Sequence, residues 1–226
     1  MKPLALALAL VASLGIAACG SHKAAGPLGL DQRVPTLADA PGSKPDPVET
    51  QRRATGVRQF IEQFGDRFIN PQPEDLREFK QTGFVSAIRS TRFFPIKPGA
   101  AHTGHERHVF ASVLQFKTND GAKKALEIVH RDSLRPCPKK CSTQIHEFDV
   151  NGIPDASGVR RFATAEDIKA TGDKDRPYDS YTIEFVDGPF AYDIELFGPP
   201  GQVSEDEAED IVKRVYDRVA GAPPKP

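Results

Sequence analysis

The sequence predicts an α+β domain of two layers, an antiparallel β-sheet with helices packed on one face, and three observations predict it. Two consecutive runs, "SYTIEF" and "FAYDIEL", alternate apolar with polar or small residues on either side of "VDGP", the pattern of a hairpin with one buried face. Near the C-terminus, Ala208, Ile211, Val212, Val215 and Val219 recur at helical spacing. Between residues 83 and 134, two β-rich runs are followed by a second helical stripe. A sheet with one apolar face and helices with one apolar stripe satisfy each other by stacking.

The elements follow in chain order. Val57, Phe60, Ile61, Phe64 and Phe68 share a helical period, which predicts a first helix from about residue 48 to 64, stopping at Gly65. The runs "GFVSAIRSTRFF" and "HVFASVLQF" are rich in β-branched and aromatic residues and read as strands. In "TNDGAKKALEIVHRDSL", Asn119 or Asp120 is the expected N-cap, and Ala122, Ala125, Leu126 and Val129 form one face. Weaker strands follow at 144–150 and 159–164, separated by the turn-rich "NGIPDASG".

The hairpin is expected to pair Phe185 with Phe190, Ile183 with Tyr192 and Tyr181 with Ile194. A four-residue loop is preferred, because Pro189 lacks the N–H that would close a two-residue turn at Asp187 and Gly188. These six apolar residues then share one side as core, while Thr182, Glu184, Ala191 and Asp193 share the other, whose default environment is solvent. Ser204 and Glu207 make a capping box for the last helix, and Gly221 with Pro223 ends it. The sheet is thus expected over about 83–197, covered on one face by the helices near 120–133 and 204–220.

The N-terminus carries the most specific signal. After Lys2 and Pro3, residues 4–18 are apolar and uncharged, short of the ~20 residues that cross a bilayer as a helix and typical of a secretory signal. Ile16, Ala17, Ala18 and Cys19 resemble the bacterial lipobox. That resemblance implies that residues 1–18 are a lipoprotein signal peptide and that the Cys19 thiol receives a diacylglycerol. The chain would then sit at the cell membrane, lipid-anchored on the extracytoplasmic side. A single acyl chain binds only marginally at ~0.8 kcal/mol per buried methylene, whereas two or three on one cysteine anchor stably. Residues 19–47, rich in Gly, Pro, Ala and Ser, read as a flexible tether with a reach of about 30 Å. Residues 48–221 form a single α+β globular domain, and 222–226 a disordered tail.

A formal net charge of −1 and the absence of any basic run argue against a nucleic-acid partner. With Cys19 spent on lipid, Cys137 and Cys141 in "RPCPKKCS" are an even pair, expected to form a disulfide that closes a small turn outside the cytoplasm. His102, His105 and His108 in "HTGHERH" are the metal-binding alternative, but their spacing is not that of the zinc-protease helix. Glu184, Asp193 and Glu195 gather on the polar side of the hairpin with no evident partner to perturb them. There is no G-x-S-x-G, S-x-x-K, G-x-x-x-x-G-K or G-x-G-x-x-G motif. The reading is a non-catalytic envelope module with no cofactor, partnered by the membrane through its lipid and by an unidentified small ligand or envelope protein. A metal-binding lipoprotein is second and an unrecognised hydrolase third.

The lipobox at Cys19, the Pro/Gly stretch, "GFVSAIRSTR", "VLQFKTNDGAKKALE", "FAYDIELFGPPG" and "SEDEAEDIVKRVYDRVAG" together are similar to secreted lipoproteins of actinobacteria of uncharacterised function. More loosely, a sheet with a helix after a long hairpin resembles the PsbP/Mog1-like α+β sandwich. Neither resemblance brings catalytic residues with it.

The Cys19→Ala variant tests the anchor: cell fractionation should find it released or held as an unprocessed precursor. An unchanged, processed membrane fraction would refute lipidation.

Overall fold

The computed structural model of the 226-residue chain describes residues 28–47, 51–64, 73–97, 106–135, 142–171 and 176–220. The strands are β1 (Lys44–Pro45), β2 (Arg52–Thr55), β3 (Phe84–Phe94), β4 (Arg107–Phe116), β5 (Gln144–Phe148), β6 (Ser157–Ala163), β7 (Tyr178–Asp187) and β8 (Phe190–Gly198). The α-helices are α1 (Val57–Phe64), α2 (Pro73–Gln81), α3 (Asn119–Ser133), α4 (Ala165–Thr171) and α5 (Glu205–Val219). All strand pairs are antiparallel, in the order β1-β3-β4-β8-β7-β6-β5, with β2 pairing the same strand, β3, as β1 does.

The α+β class and the antiparallel sheet are as the sequence predicts, but the helices divide between the two faces. On one, Ala208, Ile211, Val212, Val215 and Val219 of α5 pack on Val109, Ala111, Val113, Tyr181, Ile183, Phe185, Tyr192 and Ile194. On the other, Ala122, Ala125, Leu126 and Ile128 of α3 cover Ala87, Leu114, Phe116 and Ala191, joined by Phe60 of α1 and Phe79 of α2. The cause is visible in β4, which carries Val109, Ala111 and Val113 toward one side and Leu114 and Phe116 toward the other. A strand apolar on both sides needs cover on both.

The hairpin register is two residues away from the expected one. Phe185 pairs Tyr192, Ile183 pairs Ile194 and Tyr181 pairs Leu196, because Asp187 pairs Phe190 directly and only Gly188 and Pro189 form the turn. Gly188 has φ of 55°, which suits a primed turn at its first central position. Pro189 takes the second, where φ is negative and the closing N–H belongs to the next residue. An even shift keeps every side chain on its face, so the core composition is the same in both registers.

The first helix also differs. Residues 52–55 form strand β2 against β3, and α1 begins only at Val57. Helices α2 and α4 and strands β1 and β2 are additions to the sequence reading. The N-cap of α3 is Thr118 rather than Asn119 or Asp120, its side chain accepting from Gly121 N at 3.0 Å. Gly121 is required there: a Cβ would lie 2.1 Å from the carbonyl oxygen of Thr82. Ser204 caps α5 as expected, while the Glu207 carboxylate takes Arg107 Nη1 at 2.6 and 2.7 Å.

The largest departure concerns the tether. Residues 28–47 are packed on the α5 face, not free of it. Val34 and Ala40 enter the core cluster with α5. Arg33 is fully buried, donating from Nη1 to Asp187 Oδ2 at 3.0 Å and to Tyr192 Oη at 2.7 Å, with its guanidinium 3.8 Å from the centre of the Phe190 ring. Burial pushes the Tyr192 phenol up to about 12, with Arg33 pulling against it, so the hydroxyl stays neutral. Asp39 receives Arg218 through Nε and Nη2. Burial alone would raise the Asp39 carboxyl, but Arg218 and the Thr36 backbone and hydroxyl together hold it below its ordinary value.

Removing one partner of a buried ion pair leaves the other charge uncompensated, so Arg33→Ala should lower the unfolding free energy by about 3 kcal/mol. Urea denaturation of the purified full chain, followed by circular dichroism, measures it; a loss below about 1 kcal/mol, the scale of an exposed ion pair, would show that the segment is not held by Arg33.

Candidate functional site

The α3 side of the sheet changes character along the strands. Under the middle of α3 it is apolar. Toward the helix C-terminus, register places three cross-strand rows on that face. The first runs Ser157, Glu184, Asp193, Ser112 and Arg89 from β6 across to β3. The second is Val159, Thr182, Glu195, Phe110 and Thr91, and the third Arg161, Ser180, Phe197, His108 and Phe93. Helix α3 ends at Ser133, so the polar rows extend beyond its cover.

The first row meets α3 at His130. Its Nδ1 is 2.7 Å from Glu184 Oε2 and its Nε2 is 3.1 Å from Glu147 Oε1, while Ser157 Oγ donates to Glu184 Oε2 at 3.3 Å. Glu184 is fully buried, so the expectation of a solvated carboxylate face without partners is corrected here. Only the imidazolium form can donate to both carboxylates. The hydrogen bond to Glu184 raises the His130 pKa above its ordinary value, desolvation opposes, and the remaining attraction of Glu184 and Glu147 adds to the rise. A hollow of about 280 Å³ adjoins His130, with Lys123, Glu127 and Asp155 at its edge.

The third row opens into a cleft of about 270 Å³ lined by Arg135, Thr143, Ile145, Arg161, Tyr178, Ser180, Glu195 and Phe197. One wall is aromatic, with Tyr178 and Phe197 stacked at 5.5 Å. The Tyr178 and Thr143 hydroxyls are 2.7 Å apart. Arg161 donates from Nη2 to the Ser133 carbonyl at 2.7 Å, capping the last turn of α3. Arg135 binds Asp132 at 3.0 Å and also Asp75, a fully buried carboxylate on α2 that accepts from Arg131 at 2.7 Å as well. Hydrogen bonding to Asp75 raises the Arg135 pKa, so this guanidinium is permanently charged. A third hollow, of about 450 Å³, lies on the opposite face between Pro41, Phe94 and the start of α5. Among its charges, Glu207 is paired with Arg107 and Asp210 with Arg214. Hydroxyls, a carboxylate, guanidinium groups and an aromatic wall converge in the 270 Å³ cleft, which makes it the candidate binding site.

Of the residues singled out in the sequence, Cys19, Cys137, Cys141, His102 and His105 lie outside the described residues. His108 is buried at the start of β4, stacked on Phe110 at 5.5 Å, with Nδ1 3.8 Å from Asp46 Oδ2. Glu184, Asp193 and Glu195 do share one face. Phe190 and Tyr192 belong to the core, while Phe197 of the same hairpin reaches the cleft on the other side. Arg161, Tyr178, Thr143 and His130 were not foreseen. Among the described residues no group of three or more His, Cys, Asp or Glu side chains is placed to hold a metal ion, and no helix is long and apolar enough to cross a membrane.

The fold defines an open antiparallel α+β domain with helices on both faces and a polar cleft past the end of α3. No family model and no curated protein matches the sequence. Among solved structures, the extracellular domain of PknH from Mycobacterium tuberculosis is similar, with a TM-score of 0.51 and 14% identity over 85% of this chain and 97% of that one. At that identity the likeness is one of fold.

His130 sets a pH dependence. A group whose folded pKa is raised contributes stability that is fully present below its unfolded value, ~6.5, and lost as pH rises through the folded pKa. Urea midpoints of the full chain should therefore fall from pH 6 toward alkaline pH, and His130→Gln should be less stable at pH 6 with a flatter profile. A variant profile parallel to that of the parent would remove His130 as the cause.

Proposed function

We propose that the chain is a lipid-anchored, extracytoplasmic and non-catalytic module that binds a small ligand, or a short segment of an envelope protein, in the cleft past the C-terminus of α3. The observation that carries the reading is the cleft itself, where an aromatic wall, paired hydroxyls and charged side chains converge. Two others support it. Residues 16–19 resemble a lipobox and follow an apolar N-terminal run. A similar solved structure is the extracellular domain of a Mycobacterium tuberculosis protein. A non-catalytic role is consistent with the environment of His130, whose two ring nitrogens are both engaged by carboxylates rather than by a hydroxyl or thiol nucleophile.

Ligand-observed NMR of the full chain in detergent, against a library of small polar and amphipathic metabolites, tests the proposal. Binders should emerge whose signal is lost in Ile145→Trp, a change on the half-exposed edge strand that fills the cleft, with the thermal midpoint unchanged. A library without a cleft-dependent binder, or turnover of generic ester, phosphate or peptide substrates, would overturn it.

A further inference from the structure

The cationic groups around the cleft differ in how their charge is met. Arg135 faces the carboxylates of Asp75 and Asp132, Arg131 those of Asp75 and Glu78, and Arg160, on the other side of β6, that of Asp179. Arg161 has no such partner among the described residues: its bond is to the neutral carbonyl of Ser133, and its buried Nε has no hydrogen-bond partner there. A guanidinium without an ion-pair partner, in the wall of a cavity, is stabilised by an anion that reaches it, and its planar fork favours carboxylate and phosphate oxygens.

Register says what else such an anion would bring with it. Arg161, Ser180 and Phe197 are successive cross-strand neighbours on β6, β7 and β8. With strands ~4.8 Å apart, the row spans about 10 Å, the length of a small aromatic or sugar-sized acid lying across the strands. The order along it is a cation, a hydroxyl and an aromatic face. Glu195 stands one row further along β8, so a second anionic group at the Phe197 end would meet like charge. The volume, about 270 Å³, corresponds to roughly nine waters at ~30 Å³ each, enough for one ring and one acid group.

We infer that the cleft selects a small molecule with a single acidic group, a carboxylate or a phosphate monoester joined to an apolar or ring-shaped body, with the acid on Arg161 and the body over Ser180 and Phe197. This rests on the binding role proposed above for the same cleft, and deepens it. In the bound state the acid's oxygens accept from the Arg161 guanidinium, Ser180 is the hydroxyl along the length of the ligand, and Tyr178 and Thr143 close the side.

Four probes with one ring and different charge test the inference on the full chain in detergent: benzoate, phenyl phosphate, benzyl alcohol and benzylamine. Isothermal titration calorimetry should show benzoate, phenyl phosphate or both binding at least tenfold more tightly than the alcohol and the amine. Whichever acid is stronger identifies the source of the anionic group. The preference should fall about tenfold or more in Arg161→Gln and recover only in part in Arg161→Lys, which keeps the charge and loses the fork. Because these substitutions also remove the bond to Ser133, the unmodified chain supplies a second readout. Acid affinity should weaken between 20 and 300 mM salt while that of benzyl alcohol does not. Binding of the alcohol or amine as tightly as the acids, abolished by Ile145→Trp, would overturn the anionic selectivity and leave the cleft as a binding site. Failure of all four would overturn the selectivity, and the wider library then decides separately whether the cleft binds anything.

Discussion

The structure depends on the insertion of β8 between β4 and β7. These partners come from opposite halves of the fold, and β8 pairs with β4 from His108↔Phe197 to Gln115↔Phe190 and with β7 from Asp179↔Gly198 to Asp187↔Phe190. Without that strand, β1 to β4 and the β5 to β7 meander would be separate sheets, and neither helical layer would have a continuous floor. The insertion explains why both faces are buried along the sheet centre. It also explains why the turn at Gly188 and Pro189 is so short: Phe116 N donates to the Pro189 carbonyl at 2.8 Å, locking the turn to the end of β4. Strands brought together from distant parts of the chain must close long loops before their contacts form, so this pairing is expected to complete late in folding.

Burying both faces creates the electrostatic problem that the site resolves. A β-strand cannot choose its facing residues independently, since alternation fixes them. Placing Ile183 and Phe185 under α5 commits Glu184 to the α3 side, where no water reaches it. His130 and Ser157 supply donors, and His130 extends the contact to Glu147 on the edge strand. The same arithmetic puts Arg161 and Ser180 on the α3 side, beyond the end of the helix, where a cleft replaces an ion pair. Buried network and open cleft are two outcomes of one alternation, separated by the point at which α3 stops.

Much of this was legible in the sequence, for identifiable reasons. The stripe of α5 and the faces of β7 and β8 were readable because strict periodicity survives any register. The register itself was not, because an even slip changes no face and Pro189 argued against the turn that forms. The second helical layer was signalled by the two-sided apolar character of β4, which the hairpin's one-sided alternation outweighed. β2 and α2 went unseen since "RRAT" and "PEDLREFKQ" carry one and two large or core-facing apolar residues and are fixed by contact with β3 and the Phe60–Phe79–Phe84 cluster. Residues 28–47 have the composition of a linker, yet the side chain that pins them is an arginine, which no hydrophobic pattern would flag. His130 and Glu184 are separated by 54 positions, and only the packing of α3 on β7 joins them.

The pinned segment changes the mechanics of attachment. A linker running to residue 47 would let the domain tumble and sample a wide volume above a surface. With Leu28 onward committed to the fold, only nine residue steps separate it from Cys19, a contour of at most ~32 Å at ~3.3–3.6 Å per residue. If Cys19 is the acylated residue, a pull on the chain passes Leu28 and Leu30, which pack against the core, and at Arg33 is shared between Asp187, at the tip of the β7–β8 hairpin, and, through Asp39 and Arg218, the last turn of α5. Traction at the membrane would then be borne by polar clamps at two separate corners of the domain, the geometry of a bridle rather than a string.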